Sequence, residues 1–341
     1  MIGAAIKISD CKEGDILGED VLNQNGIVLV SENTILTDYI IIKLVAMDVK
    51  YVRLLNYDND KNGTSISLKY HETLEQIKNL LEELAAGKQL DYKTVNYISN
   101  SLNESINDNE SIVKHMQELR SADEYTYTHS LNTAIYSMLI GRWLSFSESD
   151  IVMAIQSGLL HDIGKAQIPS EILNKKGILT NDEYDVIKNH TIYGFSMLDD
   201  VKNISSEVKQ AVLHHHERSD GSGYPFKATT TDVNIFAKIV AISDVFDAMT
   251  SDRVYKKRTT PFDAFEMFYS DGMGVFDTKI MTVFTRQIAN YYVGMKVVLT
   301  NGKIGEIVFI PPYDLISPII NVENGYIDLS RESDLKIEAF L

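Results

Sequence analysis

Seven side chains in the middle of the sequence are of the types that hold divalent metals: His129, His161, Asp162, His190, His215, His216 and Asp244. Imidazole and carboxylate donors suit iron, manganese and similar ions, and the absence of thiolates argues against a structural zinc site. Their local settings are unusual. His161 and Asp162 stand side by side in Leu159-Leu160-His161-Asp162-Ile163-Gly164-Lys165, at the end of an apolar helical run. His214-His215-His216-Glu217 concentrates imidazoles and a carboxylate in one turn, and Asp244 lies within Ile239-Val240-Ala241-Ile242-Ser243-Asp244-Val245-Phe246, where an unpaired carboxylate would be costly. Two cations about 3.5–4 Å apart activate water and clamp phosphoryl oxygens, so the chemistry such a set points to is phosphoester hydrolysis. A carboxylate next to a histidine, as in His161-Asp162, can bridge both ions while the imidazole binds one.

Each member alone has a plainer explanation. A lone histidine on an apolar helix face, such as His129 or His190, is ordinarily a hydrogen-bonded core residue. Asp244 alone would serve as a cap or half of an ion pair, and the His214–His216 run as a solvated helix end. The plainer explanations must all hold independently across one helical stretch, and the joint metal reading is preferred for that reason.

The elements that must position these residues follow from periodicity. From Leu68 to about Asn290 the pattern is helical, as in Leu74, Ile77, Leu80, Leu81 and Leu84. Ala86-Gly87-Lys88 ends that helix. Residues 1–56 alternate short apolar runs with turns: Asn25-Gly26 before Ile27-Val28-Leu29-Val30 signals a hairpin, and Thr37 is placed to cap a helix from Asp38 to Met47. Residues 57–65 read as a linker. After Tyr292, Lys296–Leu299 and Ile304–Ile310 flank Thr300-Asn301-Gly302-Lys303 as a second hairpin, and Pro311-Pro312 breaks the chain before the last short strands. The expected layout is mainly α: a small α+β N-terminal domain (1–65), a helical connector (66–120), a helical catalytic domain (121–292) and a small β C-terminal domain (293–341).

The 341 residues suit two or three domains. A net charge of −16 disfavours duplex nucleic acid as a partner while leaving room for one locally positive pocket. The single cysteine, Cys11, fits a reducing compartment, and no secretory signal or membrane-spanning run is evident. A cytoplasmic location is the expectation.

At the chemistry-bearing residues the sequence resembles the HD-GYP family of the HD phosphohydrolases. His161-Asp162-Ile163-Gly164-Lys165 is similar to the family's HD-x-GK element. His215-His216-Glu217-Arg218-Ser219-Asp220-Gly221-Ser222-Gly223-Tyr224-Pro225 is similar to its HHE-xx-DG-x-GYP signature. Ile172–Lys175, Asp182-Glu183, Ile187–His190 and Ser243–Arg253 continue the resemblance, which covers about residues 121–290. It implies a helical domain with two or three metals that hydrolyses cyclic di-GMP to pGpG, GMP or both. It also implies that the seven residues are the metal ligands, with Asp162 as the bridge, and that Lys165 approaches the scissile phosphate. Arg253 and Lys256 match basic residues that contact ligand, although Arg253-Val254-Tyr255-Lys256-Lys257-Arg258 also reads as a solvated charge run.

Family members with a third metal carry a carboxylate one turn before the first histidine; here Tyr125 stands there, with Asp123 and Glu124 out of register, so two ions, iron or manganese, are expected. His214 reads as a neighbour of the set, and Val254 replaces a common proline. The loop Asp220–Pro225 is expected to shape the pocket mouth and is a candidate docking surface for a protein partner. Tyr224 is a candidate to stack on a base, with plain packing as the alternative. Homodimerisation is compatible with the sequence. The competing functions are an HD hydrolase for another cyclic dinucleotide and a cyclic di-GMP receptor with decayed catalysis. The segments Glu13–Asp20 and Gly26–Leu29 resemble a small domain that precedes HD-GYP domains, and the β tail reads as a structural cap.

Overall fold

The computed structural model describes residues 2–23, 26–55, 63–106, 112–113, 116, 125–175, 177–251, 259–332 and 334–341. The chain divides into two compact units: residues 62–259 with 268–283, and residues 1–61 with 260–267 and 284–341. The protein is mainly helical, with small β-containing regions at both ends of the chain.

The N-terminal segment holds β1 (Ile2–Lys7), β2 (Val21–Leu22), β3 (Val28–Val30), α1 (Asp38–Ala46) and β4 (Tyr51–Leu55), with β1 antiparallel to β4 and β2 to β3. Thr37 caps α1 as its sequence position requires, its Oγ1 accepting from the Ile40 amide at 3.3 Å. Leu17, Leu36, Ile40 and Leu44 form the centre of this core.

The helical part runs through α2 (Gly63–Ala85), α3 (Tyr92–Ser105), α4 (Tyr125–Trp143), α5 (Glu148–Leu160), a 3₁₀ turn (Ile163–Gln167), α6 (Ser170–Leu173), α7 (Asn181–Lys188), α8 (His190–Asp199), α9 (Ser206–His214) and α10 (Ile235–Thr250). Helices α11 (Pro261–Ser270) and α12 (Thr278–Asn290) follow. Most starts carry the expected chemistry: Ser147, Ser205 and Asn234 cap α5, α9 and α10, and Thr180 with Glu183 closes a capping box on α7. Helix α4 buries Leu131, Ala134, Ile135, Tyr136, Met138, Leu139 and Ile140, apolar around most of its circumference, as a helix inside a bundle must be. Helix α2 begins at Gly63, within the stretch that reads as linker, and buries Leu74, Ile77, Leu80 and Leu84.

The C-terminal strands β5 (Lys296–Leu299), β6 (Ile304–Phe309), β7 (Ile319–Val322), β8 (Gly325–Asp328) and β9 (Ile337–Phe340) form an antiparallel sheet of order β8-β7-β6-β5-β9. The β5–β6 hairpin turns at Thr300–Lys303, as the Asn-Gly signal there indicates. The two end segments, expected as separate domains, belong to one unit. Phe309 packs on the N-terminal core, Thr37 Oγ1 donates to the Val308 carbonyl at 3.0 Å, and Thr34 Oγ1 donates to Asn290 Oδ1 at 3.1 Å. Segments this short bury too little apolar surface to stand alone.

Candidate metal centre

The seven residues come from five different parts of the helical unit. His129 projects from α4, His161 ends α5, Asp162 precedes the 3₁₀ turn, His190 begins α8, His215 and His216 follow α9, and Asp244 lies in α10. Three of the histidines solve one local problem in one way. The last carbonyls of a helix have no intrahelical partner, and Nδ1 of His161, His190 and His215 lies 2.7, 2.8 and 2.8 Å from the carbonyls of Gly158, Ile187 and Val212, each three residues back. A carbonyl only accepts, so each Nδ1 carries the proton and each Nε2 keeps a lone pair for the cluster.

These Nε2 atoms converge. Those of His190 and His215 stand 3.3 Å apart, and the rings of His215 and His216 lie 4.1 Å apart. Two facing lone pairs repel unless a cation lies between them. Two ligand sets result, Asp162 with His190, His215 and His216, and His129 with His161 and Asp244, the ligand atoms of each lying within 4.8 Å of one another. Asp162 faces both: Oδ1 is 3.4 Å from His190 Nε2, whereas Oδ2 is 3.2 Å from His161 Nε2 and 3.6 Å from His129 Nε2. His161 Nε2 and Asp162 Oδ1 are buried without a hydrogen-bond partner, which is the state expected of atoms reserved for a metal. The donor set, imidazoles and carboxylates with no thiolate, fits a divalent cation in each group.

Electrostatics favour the ligand forms of Asp162, His190, His215, His216 and Asp244. Burial, together with the neighbouring imidazoles, pushes His215 well below the usual histidine range; His216 falls to about 3, chiefly through burial, with His190 and Arg218 adding to it. His190 is lowered for the same first reason. Burial alone would raise Asp162, but His161 and Lys165 outweigh it and hold the carboxyl well below its ordinary range. Asp244 is held low against burial by His129 and the adjacent imidazoles. Neutral imidazoles around ionised carboxylates are what a divalent cation binds. His129 moves the other way, to about 9: burial opposes the shift, and the hydrogen bonds and charges of Asp244 and Asp247 overcome it.

Asp247 carries no role in the sequence reading. Fully buried, it accepts from His129 Nδ1 at 2.8 Å, from Asn132 Nδ2 at 2.8 Å and from Ser251 Oγ at 2.9 Å. It thus fixes the His129 tautomer as the backbone carbonyls fix the other three. The available signal was its place one helical turn after Asp244, a second carboxylate in an apolar helix.

Lys165 places its Nζ 2.5 Å from Asp162 Oδ2 while a third of its side chain stays exposed. The loop after His216 folds back on the site. Glu217 accepts from the amides of Phe226 at 2.6 Å and Ala228 at 2.9 Å, and Arg218 donates to the His215 carbonyl and lies over the Phe276 ring. A Cβ on Gly223 would collide with the backbone of His216, Glu217 and Arg218, so the chain can only close here through glycine. Tyr224 stacks on His216, with ring centroids 4.6 Å apart and planes at 27°. His214 turns away toward Phe226. Arg253 and Lys256 lie outside the described residues, as do Val254, Asp123, Glu124 and the Tyr125 side chain.

Gly164 shows how tightly the site is assembled. A Cβ there would overlap the His190 carbonyl and the Gly194 amide, so the 3₁₀ turn that follows Asp162 and carries Lys165 seats directly against α8. Gly164→Ala is expected to destabilise the protein by about 2–4 kcal/mol, since rigid backbone must move. A denaturant midpoint unchanged from the parent would contradict this close seating.

A helical bundle with a buried His/Asp cluster of this kind defines a metal-dependent phosphohydrolase domain. The HD domain family matches residues 106–280, and the chain belongs to that family, with an HD-GYP-like domain. A cyclic di-GMP phosphodiesterase of Pseudomonas aeruginosa is 32% identical over 246 residues, 72% of this chain and 59% of that protein. The 3'3'-cGAMP-specific phosphodiesterase 2 of Vibrio cholerae is 37% identical over 140 residues, 41% of this chain and 26% of that protein. The chain therefore spans less than two thirds of the length of these relatives. Bd1817, an HDG"Y"P protein from Bdellovibrio bacteriovorus, shares the fold with a TM-score of 0.55 at 14% identity, covering 82% of this chain and 97% of that one. Among the described residues, no helix is long and apolar enough to cross a membrane.

Proposed function

We propose that this protein is a metal-dependent phosphodiesterase that hydrolyses cyclic di-GMP to pGpG, GMP or both, using two divalent ions, iron or manganese. The observation that carries this is the pair of ligand sets meeting at Asp162, whose two oxygens face opposite sides. His190, His215 and His216 would hold one ion, His129, His161 and Asp244 the other, and Asp162 both. Two such ions, when bound, supply Lewis acidity toward water and the phosphoryl oxygens. The protein's own groups do the rest. Backbone carbonyls hold His161, His190 and His215, and Asp247 holds His129, in the ligating tautomer. Lys165, half-buried beside Asp162, would meet the phosphoryl oxygen on which charge develops. Glu217, Arg218 and Gly223 fix the loop that carries Tyr224 against His216, and Tyr224 walls the site through that stack. Arg253 and Lys256 are proposed to contact phosphate or guanine, and the loop Asp220–Pro225 remains the proposed docking surface for a protein partner.

The similarity to a 3'3'-cGAMP-specific enzyme favours one second reading, the same centre acting on a mixed dinucleotide. The test is turnover of cyclic di-GMP against 3'3'-cGAMP by anaerobically purified, manganese- or iron-loaded protein, with metal content measured on the same sample. Faster cyclic di-GMP cleavage is expected. Preference for 3'3'-cGAMP would install the second reading, and tight binding without product would overturn both in favour of a receptor.

A further inference from the structure

We infer that Tyr70 and Asn132 are positioning residues for the metal set that contains His129, so that the first helix after the N-terminal segment helps to set metal affinity. The chain of contacts is continuous. Tyr70 OH on α2 donates to Asn132 Oδ1 on α4 at 2.9 Å, Asn132 Nδ2 donates to Asp247 Oδ1 on α10 at 2.8 Å, and Asp247 Oδ2 receives His129 Nδ1 at 2.8 Å. All four residues are buried, at 3%, 2%, 0% and 4% exposure, so water does not compete for these bonds.

The polarity of the relay is fixed by chemistry. An ionised carboxylate only accepts, so Asn132 must present its NH₂ to Asp247 and its oxygen to Tyr70, and the phenol must donate. The tyrosine hydroxyl thereby locks the amide, and the amide helps to aim the carboxylate that orients His129. Removing the hydroxyl leaves Asn132 Oδ1 buried without this donor and frees the amide to turn its oxygen toward Asp247, where two acceptors repel. Tyr70 lies outside residues 106–280, the span that matches the HD domain family, so the relay enters the centre from a helix beyond the matched span.

This inference rests on the metal assignment proposed above and not on the choice of substrate. It is tested by Mn²⁺ titration of the metal-stripped full chain, with free Mn²⁺ followed by its EPR signal, in the parent protein, Tyr70→Phe and Leu74→Ala. Leu74 packs α2 without belonging to the relay, so its variant reports what loosened packing does by itself. Tyr70→Phe is expected to weaken one of two binding steps by about 3- to 10-fold and leave the other unchanged, since loss of an outer partner commonly costs a metal site 10- to 100-fold and Tyr70 acts at one further remove. Leu74→Ala is expected to lower thermal stability without a site-selective change. Unchanged affinities in Tyr70→Phe would overturn the relay, as would equal weakening of both steps in both variants. Parent protein that binds two ions but cleaves no cyclic dinucleotide would sink the substrate reading and leave the relay standing. Parent protein that binds no Mn²⁺ would overturn the metal centre and the relay together.

Discussion

Asp162→Ala is expected to purify without bound metal and without detectable phosphodiesterase activity. The other six ligands divide into a group of three imidazoles and a group of two imidazoles with Asp244. Without Asp162 the first group is left with no anionic donor, and the second loses the carboxylate oxygen 3.2 Å from His161 Nε2. One substitution therefore weakens both sites at once, and each by more than the roughly 10- to 100-fold that follows loss of an outer partner. Asp162→Asn separates charge from shape. Its single carbonyl oxygen can serve only one side while its NH₂ faces the other, so no more than one ion per chain is expected. Metal analysis after anaerobic purification reads both variants. Two retained equivalents in either one would show that Asp162 does not bridge.

How much of this was legible in the sequence depends on the range of the contacts involved. The hairpin at Thr300–Lys303, the Thr37 cap and the end of α2 at Ala86-Gly87 are written in adjacent residues, and the structure follows them. The ligand types were equally local: His161 and His215 each follow the last turn of a helix and bond back three residues, a pattern visible once the helix ends are placed. The supporting contacts were not. Asp247 reaches His129 across 118 positions and Asn132 across 115, and Tyr70 reaches Asn132 across 62. No spacing rule links such pairs, and Tyr70 sits on a helix whose periodicity speaks only of packing. Gly164 belonged to the HD-x-GK resemblance, but the reason for glycine, the His190 backbone pressed against it, is tertiary. The shared unit of the two chain ends was hidden for the same reason, because each end read alone shows complete local elements and long-range contacts such as those of Phe309 and Val308 join them.

Lys165→Ala is expected to do the opposite of Asp162→Ala on one measurement and the same on the other. In this structure the Lys165 ammonium rests on Asp162 Oδ2, an oxygen that also faces His129 and His161. A cation taking up that oxygen must displace the ammonium, so removing the lysine removes a competitor, and metal content should be retained or rise. The rate should nevertheless fall by about 10²-fold or more, roughly 3 kcal/mol, the loss typical when one preorganised donor to a developing oxyanion is deleted. The effect is expected in kcat more than in KM, because charge builds on the phosphoryl oxygens during reaction and not on binding. Lys165→Arg keeps the charge but changes its reach and its hydration, and a partial recovery of kcat with unchanged metal content would mark the group as an electrostatic donor. Metal and rate lost together in Lys165→Ala would place the lysine in the support of Asp162 and remove it from contact with substrate.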